Sequence, residues 1–133
     1  MTEKAENNHK YNDKVIDHFL NPRNIGVIKG ASAIGNGGNA ECGDVIRLYL
    51  KIEGDIIADS KIKVFGCPVV IACASVLTEM IKGKTVADAL NITNEDISDA
   101  LGGLPAEKLH CSELAKAVLK DATSRYKENP AKA

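Results

Sequence analysis

The sequence predicts an α+β domain: a small antiparallel three-stranded sheet with helices packed on one face. Three observations point there. Asp44–Glu53 alternates polar and apolar residues, turns at Gly54-Asp55 and returns over Ile56–Phe65, the pattern of an antiparallel hairpin. Val69–Lys82 (VVIACASVLTEMIK) is apolar nearly all round for its first two turns, as a buried central helix should be. The remaining helical patterns stand before and after the strands rather than between them, and such segregated runs favour α+β over a parallel α/β sheet.

The 133 residues suit one domain, and a 44% apolar and 26% charged composition is ordinary for a globular chain. Seventeen Lys and Arg face eighteen Asp and Glu, and no basic run tracks phosphates, so no nucleic-acid partner is expected. The longest apolar stretch, Val69–Leu77, is too short to cross a bilayer, and no membrane association is expected. The opening MTEKAENNHK has no apolar h-region and is too acidic for a transit peptide, which makes a reducing cytoplasm the expected compartment. There, the four cysteines at 42, 67, 73 and 111 should be metal ligands, reactive thiols or core filler rather than disulfides.

In chain order, residues 1–10 form a polar tail, the domain spans 11–127, and 128–133 form a second tail. Tyr11–Leu20 places Tyr11, Val15, Phe19 and Leu20 at helical spacing, and Asn21-Pro22 ends that helix because a residue before proline avoids the α region. His18 on this helix reads as a surface or core-edge residue. Asn24–Asn39, with five glycines, reads as an irregular edge strand followed by a flexible loop. Gly66-Cys67-Pro68 ends the sheet, and proline suits the first position of the central helix. Gly83 stops that helix, and Thr85 and Thr93 read as N-caps of short helices over 85–90 and 93–101. After Gly102-Gly103 a last helix is expected from about Cys111 to Lys127, with Cys111, Leu114, Ala115, Val118, Ala122 and Tyr126 on one face.

Three cysteines, an aspartate and a histidine fall at loop ends or element starts, where side chains can converge: Cys42, Asp44, Cys67, His110 and Cys111. Cys42 and Asp44 flank a glycine and point the same way if the backbone is extended. Cys67 sits where the first turn of a helix offers free N–H groups. His110 and Cys111 stand at the start of the last helix, where a cationic neighbour and the helix terminus should both favour the thiolate of Cys111. Singly, each reading is weak; the weight lies in the set. Cys73, amid Val69, Val76, Leu77 and Met80, reads instead as a small core hydrophobe.

With these motifs in view, the chain resembles a known family. ECGDV, FGCPVVIACAS and LPAEKLHCS, in this order, together with YNDKVIDHFLNPRNIG, are similar to the iron–sulfur cluster assembly scaffold IscU and the N-terminal domain of NifU, over about Tyr11 to Tyr126. The resemblance is to the standalone scaffold, and the ferredoxin-like and C-terminal carrier domains of full-length NifU are not expected. It implies Cys42, Cys67 and Cys111 as cluster ligands, with Asp44 and His110 as the family's aspartate and histidine. It further implies a labile [2Fe–2S] cluster built from iron and from the persulfide sulfur of a cysteine desulfurase. Cys111 would be the persulfide acceptor, and the cluster would pass to apo-ferredoxin or other apo-proteins. Such a protein is a scaffold, not a turnover enzyme, and two subunits could pair clusters as a homodimer.

A ligand set with one carboxylate or imidazole in place of a fourth thiolate suits transient holding, because a carboxylate is a harder and poorer partner for iron–sulfur chemistry. Two departures stand out. The small, serine-rich residues typical after the second cysteine are replaced by Pro68–Ala74 with Cys73. The usual LPPVK reads Leu104-Pro105-Ala106-Glu107-Lys108, which argues against a dedicated Hsp70-type chaperone partner. The alternative is a zinc-dependent sulfur-transfer protein similar to SufU, for which three thiolates and Asp or His make a good tetrahedral site. That family's insertion before the last motif is missing, and His110 stands where it carries a lysine. A structural zinc module or a Cys111–His110 hydrolase fits less well, because paired CxxC spacing is absent and adjacent helical residues point apart.

Overall fold

The computed structural model describes residues 12–39 and 43–128. Tyr11, Cys42 and both polar tails apart from Glu128 therefore lie outside the described residues. The elements run α1 (Asp13–Leu20), β1 (Ala33–Asn39), β2 (Asp44–Glu53), β3 (Ile56–Phe65), α2 (Pro68–Ile81), α3 (Val86–Leu90), α4 (Asn94–Ala100), a 3-10 turn (Ala106–Lys108) and α5 (Leu109–Glu128). The three strands form one antiparallel sheet in the order β1-β2-β3.

The hairpin turns at Gly54 and Asp55, both left-handed with φ of 57° and 68°, as a tight two-residue connection requires. Its alternation holds: Ile46, Leu48, Leu50 and Ile52 face inward, while Arg47 and Lys51 face solvent. A bulge between Lys51 and Ile52 shifts the pairing near the turn. The inner face meets α2 and α5, and Ile57, Ile62, Leu77, Ile81, Val118 and Leu119 are fully buried between the layers. Each such residue contributes on the order of 1.5–3 kcal/mol through burial, offset by chain entropy.

The N-caps stand where the sequence places them. The Thr85 hydroxyl accepts from the Asp88 N–H at 3.0 Å. Thr93 and Asp96 exchange bonds in a complete capping box. Asn12 caps α1 by accepting from the N–H groups of Lys14 and Val15. His18 is a core-edge residue, with Nδ1 2.8 Å from the Ser75 hydroxyl of α2.

One expectation is reversed. The sequence of Asn24–Asn39 predicts strand then loop, but bends come first and the strand, AIGNGGN, comes last. The glycines mark a close approach rather than a flexible loop. A Cβ on Gly35 would meet the Val118 carbonyl and lie 2.7 Å from the Ala122 Cβ, and one on Gly37 would lie 2.6 Å from Val118 Cγ2. Strand β1 can lie against α5 because these side chains are absent. On its other edge the Asn36 N–H donates to the Asp121 carboxylate of α5 at 2.9 Å. The outer edge of β3 is bonded to the Asn24–Gly26 segment through Ile62 and to Gly83-Lys84 through Ile57.

Antiparallel register sets where the chemistry collects. Asn39 pairs with Asp44 and Val45 pairs with Phe65, so the end of β1, the start of β2 and the end of β3 lie at one end of the sheet.

Candidate functional site

At that sheet end Gly43 and Asp44 at the start of β2, Val64 to Cys67 from the β3–α2 junction, Ile71 of α2, Lys108 of the 3-10 turn and His110 of α5 line one open cavity of about 490 Å³. Three motifs far apart in sequence are thus brought together. Cys67 is the N-cap residue of α2, with extended backbone and a side chain that makes no cap bond. Its own N–H donates to Asp44 Oδ1 at 3.3 Å, which ties the carboxylate of β2 to the start of α2, and the Cys67 thiol is not engaged in capping.

Cys111 departs from expectation. It is fully buried within the core cluster and shares the inward stripe of α5 with Ala115, Val118 and Ala122. The helix begins at Leu109 after a 3-10 turn, so Cys111 is its third residue and turns inward rather than presenting its thiol at the rim. Burial pushes the thiol up to about 12. The adjacent Cys67 thiol and Asp44 carboxylate add to the rise, and the Lys108 ammonium opposes it. The expected thiolate is therefore absent from the metal-free fold, because desolvation outweighs the helix terminus. His110 also differs: its ring turns back so that Nε2 lies 3.6 Å from Cys111 Sγ, although the two residues are sequence neighbours. Cys73 is fully buried in the core, and burial raises its thiol far above the usual range, with Cys111 and Cys67 next in effect.

The two pairs, Asp44 with Cys67 and His110 with Cys111, meet at one place. Among the described residues no group of three or more His, Cys, Asp or Glu side chains is gathered tightly enough to hold a metal ion, and Cys42 lies outside them. The donor types suit iron or zinc, which accept thiolate and imidazole with one oxygen ligand.

Three further residues of this region lie inside the FGCPVVIACAS and LPAEKLHCS stretches, where sequence alone assigns them no individual site role. Lys108 places its charge near Cys111, Phe65 stands 75% exposed at the cavity mouth, and Gly66 packs directly against Asp44.

A three-stranded sheet covered on one face by helices, with thiols, a carboxylate and an imidazole at its open end, defines a small thiol-rich ligand-holding domain. Residues 10–133 match the family model described as the NifU-like N terminal domain. The chain belongs to that family. It is 49% identical over 116 residues to the iron-sulfur cluster assembly scaffold protein IscU 1 of Archaeoglobus fulgidus, covering 87% of this chain and 76% of the relative. It is also 49% identical over 119 residues to the IscU scaffold of Aquifex aeolicus, covering 88% and 76%. Among solved structures it resembles an iron-sulfur cluster assembly scaffold protein for the SUF system from Fervidobacterium islandicum AW-1. The TM-score is 0.72 at 26% identity, covering 86% of this chain and 97% of that one.

Proposed function

We propose that this protein is a scaffold on which an iron–sulfur cluster is assembled and from which it is passed to apo-proteins. The observation that carries this reading is the convergence of Asp44, Cys67 and His110 on one solvent-open sheet end, with Cys111 buried beside His110, in a chain half identical to proteins named as such scaffolds. The cluster is cargo, and [2Fe–2S] is the type proposed. Cys67 and Cys111 would hold it, with Cys42 as third thiolate and Asp44 or His110 at the replaceable corner. Cys111 would accept persulfide sulfur from a cysteine desulfurase, and apo-ferredoxin or another apo-protein would receive the product. No helix among the described residues is long and apolar enough to cross a membrane. A reducing cytoplasm would keep these thiols free.

The cavity is open rather than enclosed, which suits a site that must admit a sulfur donor and later give up its cargo. A thiol that is neutral when buried needs a cation beside it before it ligates or attacks, so iron entry and Cys111 activation should go together. A carboxylate at the fourth corner is the weak point from which the cluster leaves.

The test is anaerobic incubation with ferrous iron, cysteine and a cysteine desulfurase, read by absorption and by iron and acid-labile sulfide content. Equal iron and sulfide, with charge-transfer bands that disappear on adding apo-ferredoxin, is the expected result. Tightly held zinc, no sulfide and a stable persulfide on Cys111 would replace the scaffold reading with zinc-dependent sulfur transfer. Asp44→Ala and Asp44→Cys should keep a reconstituted cluster longer than the parent; equal or faster decay of the bands would remove Asp44 from the release step.

A further inference from the structure

Gly66 has almost no room around it on one side. A Cβ built there would lie 2.5 Å from Asp44 Oδ1, 3.2 Å from Asp44 Cα and 3.3 Å from Val70 Cγ1. The first of these is the oxygen that accepts the Cys67 N–H. The carboxylate therefore crosses the space that any L side chain at 66 would occupy, and only because that space is empty can it reach the start of α2. Asp44 is gripped from the strand side as well: a Cβ on Gly38 would strike the Asp44 carbonyl and lie 2.8 Å from Val45 Cα. Gly38 thus makes room for the backbone of Asp44 and Gly66 for its carboxylate, and Gly66 immediately precedes Cys67 in the chain.

We propose that Gly66 is a positioning residue: its missing side chain seats the Asp44 carboxylate against the Cys67 N–H and so fixes Asp44 beside the Cys67 thiol. The consequence for cargo lifetime rests on the scaffold reading, while the seating of Asp44 does not. Gly66 also has φ of +157°, at the border of what an L residue adopts, so backbone preference is the competing explanation for glycine here. The two differ in handedness. D-alanine accepts this φ and carries its methyl on the side away from Asp44, whereas L-alanine carries it into the carboxylate. The Gly66–Cys67 bond is itself a suitable junction for joining a synthetic 1–66 thioester to a 67–133 fragment, which gives the full chain with either alanine.

In the metal-free full chain, selectively labelled at cysteine nitrogen, the protection of the Cys67 amide against hydrogen exchange is compared among five proteins. These are the parent, Asp44→Ala, Gly66→Ala, the double variant Asp44→Ala/Gly66→Ala and the chain with D-alanine at position 66. Asp44→Ala and Gly66→Ala should lose protection by the same factor, about three- to tenfold for one such bond. The double variant should lose no more than either single, and the D-alanine chain should keep the parental value. Parental protection in Gly66→Ala, an equal loss with D-alanine, or additive losses in the double variant would overturn the proposal. Should Gly66→Ala fail to fold, combining it with Asp44→Gly decides the matter: recovery supports a clash with the carboxylate, and continued failure overturns it. After reconstitution, Gly66→Ala and Asp44→Ala clusters should persist equally long and both longer than the parent's. A parent that never forms a cluster would defeat the scaffold reading and leave the exchange result standing.

Discussion

At the scale of single residues the site is governed by desolvation. Cys111 is a neutral thiol at physiological pH in the metal-free fold, because burial raises its pKa to about 12. Alkylation at pH 8 followed by mass spectrometry should therefore modify the half-exposed Cys67 well before Cys111; comparable rates would show that Cys111 opens readily. His18 is held below its usual pKa, by burial first and then by the Arg23 guanidinium, with Glu79 and Asp17 opposing. A base with a lowered folded pKa is protonated more in the unfolded chain, so stability is complete above about pH 6.5 and falls as pH drops through that value. The melting temperature of His18→Gln should depend less on pH between about 5 and 7 than that of the parent. Cys73 is a core filler, and Cys73→Ser should cost about 1–3 kcal/mol in denaturant titrations by burying a hydroxyl. That Asp44, Cys67 and His110 come together was legible one motif at a time. The burial of Cys111 was not, because it depends on where α5 starts and on α2 lying beneath it.

At the scale of elements, what the sequence revealed followed local rules and what it hid depended on distant neighbours. Strands β2 and β3 and the caps Thr85 and Thr93 follow from alternation, turn chemistry and side-chain acceptors within three residues. Thr93→Ala should lose about 1 kcal/mol of unfolding free energy through the bond its hydroxyl accepts from the Asp96 N–H, while the Thr93 N–H keeps its bond to the Asp96 carboxylate. The edge strand was expected in the first part of Asn24–Asn39, and its true place at Ala33–Asn39 escaped because Gly35 and Gly37 look like loop residues until α5 is laid against them. Gly35→Ala should destabilise by about 1–3 kcal/mol through overpacking against Val118 and Ala122. A denaturation midpoint equal to the parent's would mean that the strand and helix separate at little cost.

At the scale of the whole molecule, the fold separates a packed body from a chemically open end. Core residues such as Leu48, Leu77 and Leu119 join the sheet to α2 and α5, and Leu48→Ala should cost about 2–5 kcal/mol by calorimetry or denaturant titration. Helices on one face leave the strand ends free, and register alone delivers Asp44 and Cys67 to the same end. The same covering of the sheet has an effect on assembly. With the Asn36 N–H taken by Asp121 and the outer rim of β3 occupied by Asn24–Gly26 and Gly83-Lys84, the ladder offers few free rungs to a passing chain. A partner that comes for the cargo is thereby denied the easy route of strand addition and the polymerisation it invites. Its natural approach is to the end where the exchange takes place.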